Sequence, residues 1–321
     1  MGAYALSEQQ WLVGLIFYVL ALAPPCLCRD ESEKVGHLYP QYYNDLCPQA
    51  PAIVKSVVAK AVAKEARIAA SLSRLHFQDC IVKGCDASNL LDNAESIISE
   101  KQSNSNRNSA RGYEVIDEIN KEIEKACPDV VSCADILALA ARDSTVLAGR
   151  PGWEVPLGRR DSLEAYLNKS NQHIPAPNNT FETILLKFKR KGLTLVDMVA
   201  LSGAHTIGDA RCTSFRERLY NHIGNGKPDS TLDQSYANQL RGKCPRSGGD
   251  QNLFSLDFVS LLKFDNSYFK NLLANKELLS SDQVLTSDQQ SLKLKTYAGN
   301  KELFFKQFAV CLYHEVLQKK S

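Results

Sequence analysis

Residues 69–88 read AASLSRLHFQDCIVKGCDAS. This stretch is the most informative part of the sequence for predicting the fold. Helical periodicity places Arg74 and Gln78 four residues apart on one face, with Phe77 beside them. The stretch is therefore predicted to present a cation, an amide and an aromatic ring to one side of a helix.

Oxygen donors follow this helical face at regular intervals. They are the side chains of Asp79, Asp86 and Ser88 and the carbonyls of Val82 and Gly84. Hard oxygen ligands, with a glycine that permits a tight turn, are what Ca²⁺ prefers. A single Asp of this kind is more often an N-cap or a solvated loop residue, but the full spacing predicts a calcium site.

A second motif, LSGAHTIG at residues 201–208, contains His205 near the end of a predicted helix. A lone histidine in such a place is more often a satisfied core residue than a ligand. A haem iron needs one imidazole, however, and such an imidazole usually has a carboxylate partner. Asp282, in SSDQ at residues 280–283, is a candidate for that partner.

Composition leaves most broad classes of soluble protein open. The 321 residues are 44% hydrophobic and 23% charged, which is ordinary for a globular protein with one large core or two packed halves. The formal net charge of +2 is too small to indicate binding to nucleic acid or to a membrane surface. We therefore expect neither kind of partner for the mature chain.

Helical patterns dominate the chain. Apolar residues recur with a helical period over residues 51–77, and a last helix is predicted over residues 301–318. Ser132–Asp135 and Thr194–Asp197 have the spacing of helix N-caps with an acidic third residue. Alternating strand patterns are almost absent, so the predicted fold class is all-α.

The N-terminus has the character of a secretory signal. Residues 11–23 are apolar without a charge, too short to span a bilayer comfortably and suited to the hydrophobic region of a signal peptide. We predict a signal peptide over residues 1–28 and a mature domain over residues 29–321, with a membrane anchor as the alternative. The predicted location is extracellular, in the cell wall, with the vacuole as a second destination.

Cysteine content agrees with secretion. Of ten cysteines, removal of Cys26 and Cys28 with the signal peptide leaves an even set of eight, which predicts four disulfides. A zinc site is the alternative, but no paired CxxC knuckle is present. The count itself does not choose among the pairings that eight cysteines permit. Two sequons, at Asn168 and Asn178, are candidate N-glycosylation sites.

Taken together, the two motifs closely resemble the distal and proximal signatures of the class III plant secretory peroxidases, the horseradish type. Further blocks match in the same order: CPDVVSCADIL at residues 127–137, PLGRRD at 156–161 and FDN at 264–266. The resemblance covers roughly residues 38–314. It implies two helical halves that enclose one haem b, in a monomer that oxidises small phenolic donors with hydrogen peroxide.

The resemblance also implies roles for individual residues. His205 is expected to be the axial ligand of the haem iron, and Asp282 the carboxylate that makes it more basic. Arg74 is expected to stabilise the negative charge on the departing peroxide oxygen, and Phe77 to contact the haem. Pro175 resembles the proline at the mouth where phenolic donors dock, although a rigid turn is the simpler interpretation.

The resemblance further implies disulfides and two calcium ions. The implied disulfides are Cys47–Cys127, Cys80–Cys85, Cys133–Cys311 and Cys212–Cys244. The distal calcium ion would be bound by the oxygen donors described above. Glu100 would contact these ligands rather than the ion itself. The proximal one would use Thr206, Asp257, Ser260, the Lys263 carbonyl and Asp265. The second match is looser, since Ser260 stands where the family usually has Thr and Leu261 where it has Pro.

The departure with the greatest consequence is Gln78, because the family carries a catalytic His at this position. An amide is neither basic nor acidic near neutral pH, so it cannot move the peroxide proton. Asn106 matches the residue that hydrogen-bonds the missing histidine. His76 lies about 200° round the helix from Gln78 and should point away from the iron.

Three functions are consistent with this sequence. The first is a peroxidase that activates peroxide slowly, since general acid–base groups contribute about 10²–10⁴-fold. The second is a haem-binding protein that has lost efficient turnover. The third, an extracellular binding module without haem, is disfavoured because Arg74, His205 and Asp282 all persist.

Overall fold

The computed structural model describes residues 38–286 and 291–317, so the predicted signal peptide lies outside the described residues. The described chain is mainly helical, as predicted. Its helices are α1 Ala50–Lys64, α2 Ile68–Lys83, α3 Tyr113–Ala126, α4 Cys133–Leu147, α5 Leu167–His173, α6 Phe181–Lys189, α7 Leu195–Ser202, α8 Arg216–Tyr220, α9 Gln234–Arg241, α10 Ser267–Leu273, α11 Ser280–Gln283, α12 Ser291–Gly299 and α13 Lys301–Leu317. None of the described helices is long and apolar enough to cross a membrane.

The predicted helical run over residues 51–77 is two helices rather than one. Glu65 breaks it, with extended dihedrals of φ −146° and ψ 101°. Helix α2 then starts afresh and ends at Gly84, whose φ of +103° lies in the region that favours glycine. The break lets α2 take a direction independent of α1, and α2 carries the residues of the first motif.

The predicted N-caps are both present. Ser132 Oγ accepts a hydrogen bond from the Asp135 amide at 3.2 Å. Thr194 and Asp197 form a full capping box, in which the Asp197 carboxylate also accepts from the Thr194 amide at 2.7 Å. This box fixes the start of α7, which leads directly into a 3₁₀ turn, Gly203–Thr206, that carries His205.

Two large buried clusters give the molecule its two halves. The distal cluster, named for the first motif, includes Val54, Leu72, Leu75, Ile119 and Leu137. The proximal cluster, named for His205, includes Ile81, Val82, Met198, Phe269, Phe304 and Phe308. Helix α2 contributes to both, so the helix of the first motif lies between the two halves.

A third, smaller cluster surrounds a short antiparallel pair of strands. Strands β1 Asp209–Arg211 and β2 Leu253–Ser255 place Ala210 opposite Phe254. The cluster packs under them and includes Cys212, Phe215, Leu219 and Leu278. The near absence of strand patterns in the sequence is consistent with these three-residue strands.

Gly203 explains how the turn of His205 fits against the proximal cluster. A Cβ atom at this position would lie 2.5 Å from Cε2 of Phe304 and 2.9 Å from Cζ of Phe269. Any larger residue would push the turn away from these rings. The glycine therefore allows the backbone that carries His205 to pack directly on the aromatic core.

Three of the four predicted disulfides are present: Cys47–Cys127, Cys80–Cys85 and Cys212–Cys244. The fourth predicted pairing, Cys133–Cys311, is not confirmed. Cys311 lies in the proximal cluster on α13, where its Sγ donates to Asp197 Oδ1 at 3.1 Å. Cys133 begins α4, and burial together with the nearby Asp161 carboxylate raises the pKa of its thiol to about 11.

Candidate active site

The proximal side of the site is built around His205. Its Nδ1 lies 2.9 Å from Asp282 Oδ1, so the predicted contact is formed across 77 residues of sequence. The hydroxyl of Tyr268 donates to the same carboxylate oxygen at 3.0 Å. With Nδ1 engaged, Nε2 of His205 faces away from Asp282 and is left to bind a metal.

Charge as well as geometry favours a basic imidazole. Burial lowers the pKa of His205, but the Asp282 carboxylate more than offsets this, and the net pKa is raised. Asp282 is itself 3% exposed at its side chain, which keeps its charge close to the ring and away from water. An imidazole in this setting is a strong donor to a metal ion.

On the distal side, Arg74 reaches a loop formed by residues 105–109. Its Nη2 donates to Ser105 O at 2.7 Å and to Ser109 Oγ at 3.0 Å, and its Nη1 donates to Ser109 O at 3.1 Å. The helix α2 therefore supplies the guanidinium, and the loop fixes its orientation.

Gln78 lies between Arg74 and Asn106. In the amide orientation that satisfies both ends, Gln78 Nε2 donates to Asn106 Oδ1 at 3.1 Å. Its Oε1 accepts from Nε and Nη2 of Arg74, each at 3.0 Å. Neither partner can accept a proton from peroxide, since one is a guanidinium and the other a neutral amide.

Arg74 and His205 have similar surroundings and are close enough for their charges to interact. The Arg74 side chain has accessible surface, yet burial by the surrounding protein lowers its pKa. The His205 side chain is 39% exposed, and the charge of Arg74 acts on it to lower its pKa. Side chains that are enclosed and yet accessible are typical of a cavity, and we expect one between the His205 imidazole and the Arg74 guanidinium.

The apolar residues at the edge of the proximal cluster are compatible with a haem site. Phe77, Ala70 and Ala204 are partly buried apolar residues at the edge of the proximal cluster. A flat, mostly apolar cofactor needs such walls, one axial nitrogen and few polar groups. The residues present therefore suit the group that the sequence implies.

A cluster of buried carboxylates follows the distal helix. Burial, with the charges of Asp86 and Glu100 nearby, raises the pKa of Asp79 well above its usual value. Asp79 Oδ1 makes no hydrogen bond within the described part of the chain, and the Ser88 hydroxyl lies beside Glu100. Buried carboxylates of this kind are costly unless they take up a proton or bind a cation, and their oxygen atoms are ligands of the type that Ca²⁺ prefers.

The proximal calcium residues converge as well. Thr206 Oγ1 and Ser260 Oγ both donate to Asp257 Oδ2, at 3.1 and 3.0 Å. Both hydroxyl oxygens also lie within hydrogen-bond distance of Asp265 Oδ1, at 3.4 and 3.1 Å, so each hydroxyl hydrogen has two carboxylate oxygens within reach. The four side chains thus contact one another, and Thr206 is the residue that follows His205.

One predicted carbonyl ligand is engaged elsewhere. Val82 O lies 3.0 Å from His173 Nδ1 and accepts from Lys191 Nζ at 2.6 Å. In this structure the Val82 carbonyl oxygen is therefore hydrogen-bonded to side chains, His173 and Lys191. For the carbonyls of Gly84 and Lys263 it records no contact that tests them as ligands.

Pro175 lies in the non-helical segment of residues 174–180, between α5 and α6. In the same segment, the Pro177 carbonyl accepts a hydrogen bond at 3.0 Å from the amide of Ser281, the residue before Asp282. Asn178 is exposed in the turn that follows, which suits a glycosylation site. Asn168 is exposed too, but it lies within α5 and the serine of its sequon is buried.

His76 is buried against the Cys80–Cys85 disulfide, with its Nδ1 3.7 Å from Cys80 Sγ. Burial, and to a smaller extent the charge of Arg159, lowers the pKa of His76 to about 3. It has no recorded contact with Gln78 or Arg74. These features agree with the interpretation that His76 does not replace the missing base.

Two residues of the proximal side were missed by the sequence analysis. Tyr268, which donates a hydrogen bond to Asp282, lies two residues after the FDN block. Glu277 is fully buried, and neither of its carboxyl oxygens has a hydrogen-bond partner in the described residues. Burial, with the charges of Asp282 and Asp257, raises the pKa of Glu277 well above its usual value.

Replacing Glu277 with Gln should make stability less dependent on pH. Because the folded pKa is raised, the folded state keeps a proton that the unfolded state releases above pH about 4.5, so the contribution of Glu277 declines as pH rises. Relative to the wild type, Glu277→Gln should therefore gain up to about 1.4 kcal/mol per pH unit in this window. Denaturant unfolding at pH 5 and pH 7 measures the gain. Glu182→Gln, at an exposed site on α6, is the control, and a pH-independent difference for Glu277→Gln would contradict the assignment.

Comparison with known proteins places the chain in a class. The family model described as Peroxidase matches residues 54–300. Peroxidase 72 of Arabidopsis thaliana is 63% identical over 293 residues, which cover 91% of this chain and 87% of the relative. Peroxidase 15 of the same plant is 60% identical over 301 residues (92% and 89%), and Peroxidase 4 of Vitis vinifera is 46% identical over 295 (91% and 90%).

The chain therefore belongs to the peroxidase family, in its class III plant branch. Membership makes it a haem peroxidase, an oxidoreductase whose cofactor is haem, and it agrees with the mainly helical fold.

Proposed function

We propose that the protein is a secreted, monomeric peroxidase that oxidises small phenolic donors with hydrogen peroxide and activates peroxide slowly. The observation that carries the proposal is the pairing of Gln78 with Arg74 and Asn106, because these contacts place an amide where the family has its base. A bound haem b supplies the electron transfer between peroxide and donor.

The proximal residues retain their chemistry in this proposal. His205 binds the iron through Nε2, and Asp282 accepts from Nδ1, which keeps the imidazole electron-rich. Tyr268 holds Asp282 in place. With haem bound, an electron-rich His205 would favour cleavage of a peroxide O–O bond.

The distal residues retain charge and lose proton transfer. Peroxide must lose a proton from one oxygen and gain one on the other before the bond between them breaks. The guanidinium of Arg74 can stabilise the negative charge on the departing oxygen. The Gln78 amide cannot carry the proton, so this transfer depends on solvent.

Two calcium ions complete the proposed site. One is bound by Asp79, Asp86 and Ser88, with Glu100 behind them, and the other by Thr206, Asp257, Ser260 and Asp265. Each binding set includes a residue adjacent in sequence to a key residue of the site, Asp79 to Gln78 and Thr206 to His205. Calcium binding therefore stabilises both walls of the cavity.

A visible absorption spectrum of the purified protein tests the proposal. We expect a haem band that changes slowly when hydrogen peroxide is added. His205→Ala should lose the band, and His222→Gln, at a histidine outside the site, should keep it. A haem band that peroxide leaves unchanged would favour a haem-binding protein without turnover, and the absence of a band would overturn haem binding altogether.

A further inference from the structure

We propose that Gln78 is a positioning residue that latches Arg74 against the loop of residues 105–109 and withdraws its donor groups from the peroxide site. The inference rests on the proposed function, since it concerns the same distal pocket. It adds a second effect of the substitution. Gln78 does not only lack a base; it also restrains the cation that remains.

The latch consists of two hydrogen bonds from one guanidinium edge to one amide oxygen. Nε and Nη2 of Arg74 both lie 3.0 Å from Gln78 Oε1. An arginine edge that donates two bonds in this manner is held in orientation as well as in position. The guanidinium plane is therefore fixed with respect to α2.

Most of the N–H groups of the Arg74 guanidinium are already hydrogen-bonded within the protein. Besides Gln78, Nη2 donates to Ser105 O and to Ser109 Oγ, and Nη1 donates to Ser109 O. The Nε hydrogen and both Nη2 hydrogens are thus used within the protein. Counting contacts within the described residues, the second hydrogen of Nη1 is the one left for an oxygen or an anion at the peroxide site.

The amide end of the latch is anchored independently. Gln78 Nε2 donates to Asn106 Oδ1 at 3.1 Å, and Asn106 Nδ2 donates to the Glu100 carbonyl at 3.0 Å. Gln78 and Asn106 are each 2% exposed, so water does not compete for these bonds. Gln78 Oε1 is therefore directed at Arg74 by a chain that ends at the proposed distal calcium site.

Anion binding distinguishes a latch from a missing base. Gln78→Leu lacks a base just as the wild type does, but it has no oxygen to hold Arg74. If Arg74 is latched, the ferric haem form of Gln78→Leu should bind fluoride more tightly than the wild type, by roughly ten- to a hundredfold, the factor that corresponds to one charged hydrogen bond. Ser109→Ala, which removes only one bond to the same guanidinium, should shift the affinity less. Equal or weaker fluoride binding by Gln78→Leu would overturn the proposal.

Hydrogen exchange of the Arg74 Nε–H provides a readout that needs neither haem nor turnover. In the ¹⁵N spectrum of the apoprotein, with the resonance assigned through Arg74→Lys, this hydrogen should exchange slowly in the wild type. Exchange should be at least about tenfold faster in Gln78→Leu and in Asn106→Ala, which keeps Gln78 but removes its anchor. Fast exchange in the wild type itself would overturn the latch even if neither variant folds.

The outcomes separate this proposal from the proposed function. Tighter fluoride binding by Gln78→Leu, without faster peroxide reaction by Gln78→His, would support the latch and reject the missing-base account. The opposite pair of results would support the missing base and reject the latch.

Discussion

Replacing Gln78 with His should accelerate the reaction of the protein with hydrogen peroxide by about 10²–10⁴-fold, the usual contribution of a general acid–base group. At 1.36 kcal/mol per decade this corresponds to roughly 3–5 kcal/mol of barrier. A histidine at this position would find Asn106 as its partner, because the Asn106 side chain already lies 3.1 Å from the Gln78 amide. The proton of peroxide would then have an acceptor inside the pocket.

The acceleration in Gln78→His should affect the reaction with hydrogen peroxide and not the later oxidation of the phenolic donor. Stopped-flow mixing with peroxide alone follows the change of the haem band, and a second mixing with a phenolic donor follows its return. The first rate should rise in Gln78→His and the second should stay the same, since donors react near Pro175. Gln78→Asn, which retains an amide, should bring no acceleration. A wild type that reacts with peroxide as fast as Gln78→His would contradict this account of the pocket.

Removing calcium should lower the free energy of unfolding by about 4 kcal/mol per site when the starting calcium concentration is about a thousand times the dissociation constant. At the distal site the physical reason is the burial of Asp79 and Glu100 close to Asp86. Without a cation, these carboxylates repel one another or must take up protons. The cavity wall that carries Gln78 should loosen with them.

Denaturant unfolding before and after exhaustive chelation measures this loss. Asp79→Asn should abolish the distal part of the calcium effect. Asp92→Asn, at a carboxylate that is 84% exposed and paired with Lys101, should leave it intact. An unchanged unfolding midpoint and haem spectrum after chelation would count against both calcium sites.

Local signals in the sequence predicted the helical elements well, because caps and periodicity act over a few residues. The capping box at Thr194–Asp197 is formed as predicted. The break at Glu65 was missed, since a run of apolar residues with a helical period does not reveal where the helix axis changes direction. In the structure α1 joins the distal half, whereas α2 contributes to both halves.

Contacts across long stretches of sequence were predictable only through resemblance. The His205–Asp282 pair joins residues that no local pattern connects, and the resemblance named it correctly. The same reasoning named the Cys133–Cys311 pairing, which is not confirmed, although Cys311 is buried in the proximal cluster. Glu277 was missed for a different reason: a buried carboxyl without a partner runs against the usual rule for charged residues.

The pH dependence of the peroxide reaction tests the central claim, that no protein group takes the peroxide proton, without any substitution. If Gln78 leaves the pocket without a base, only peroxide that has already ionised in solution reacts efficiently. The second-order rate constant of the wild type, from stopped-flow mixing between pH 6 and 9, should then rise about tenfold per pH unit, as the ionised fraction of a weak acid does below its pKa. A rate constant that reaches a plateau within this range would contradict the claim, because a plateau requires a titrating group on the protein.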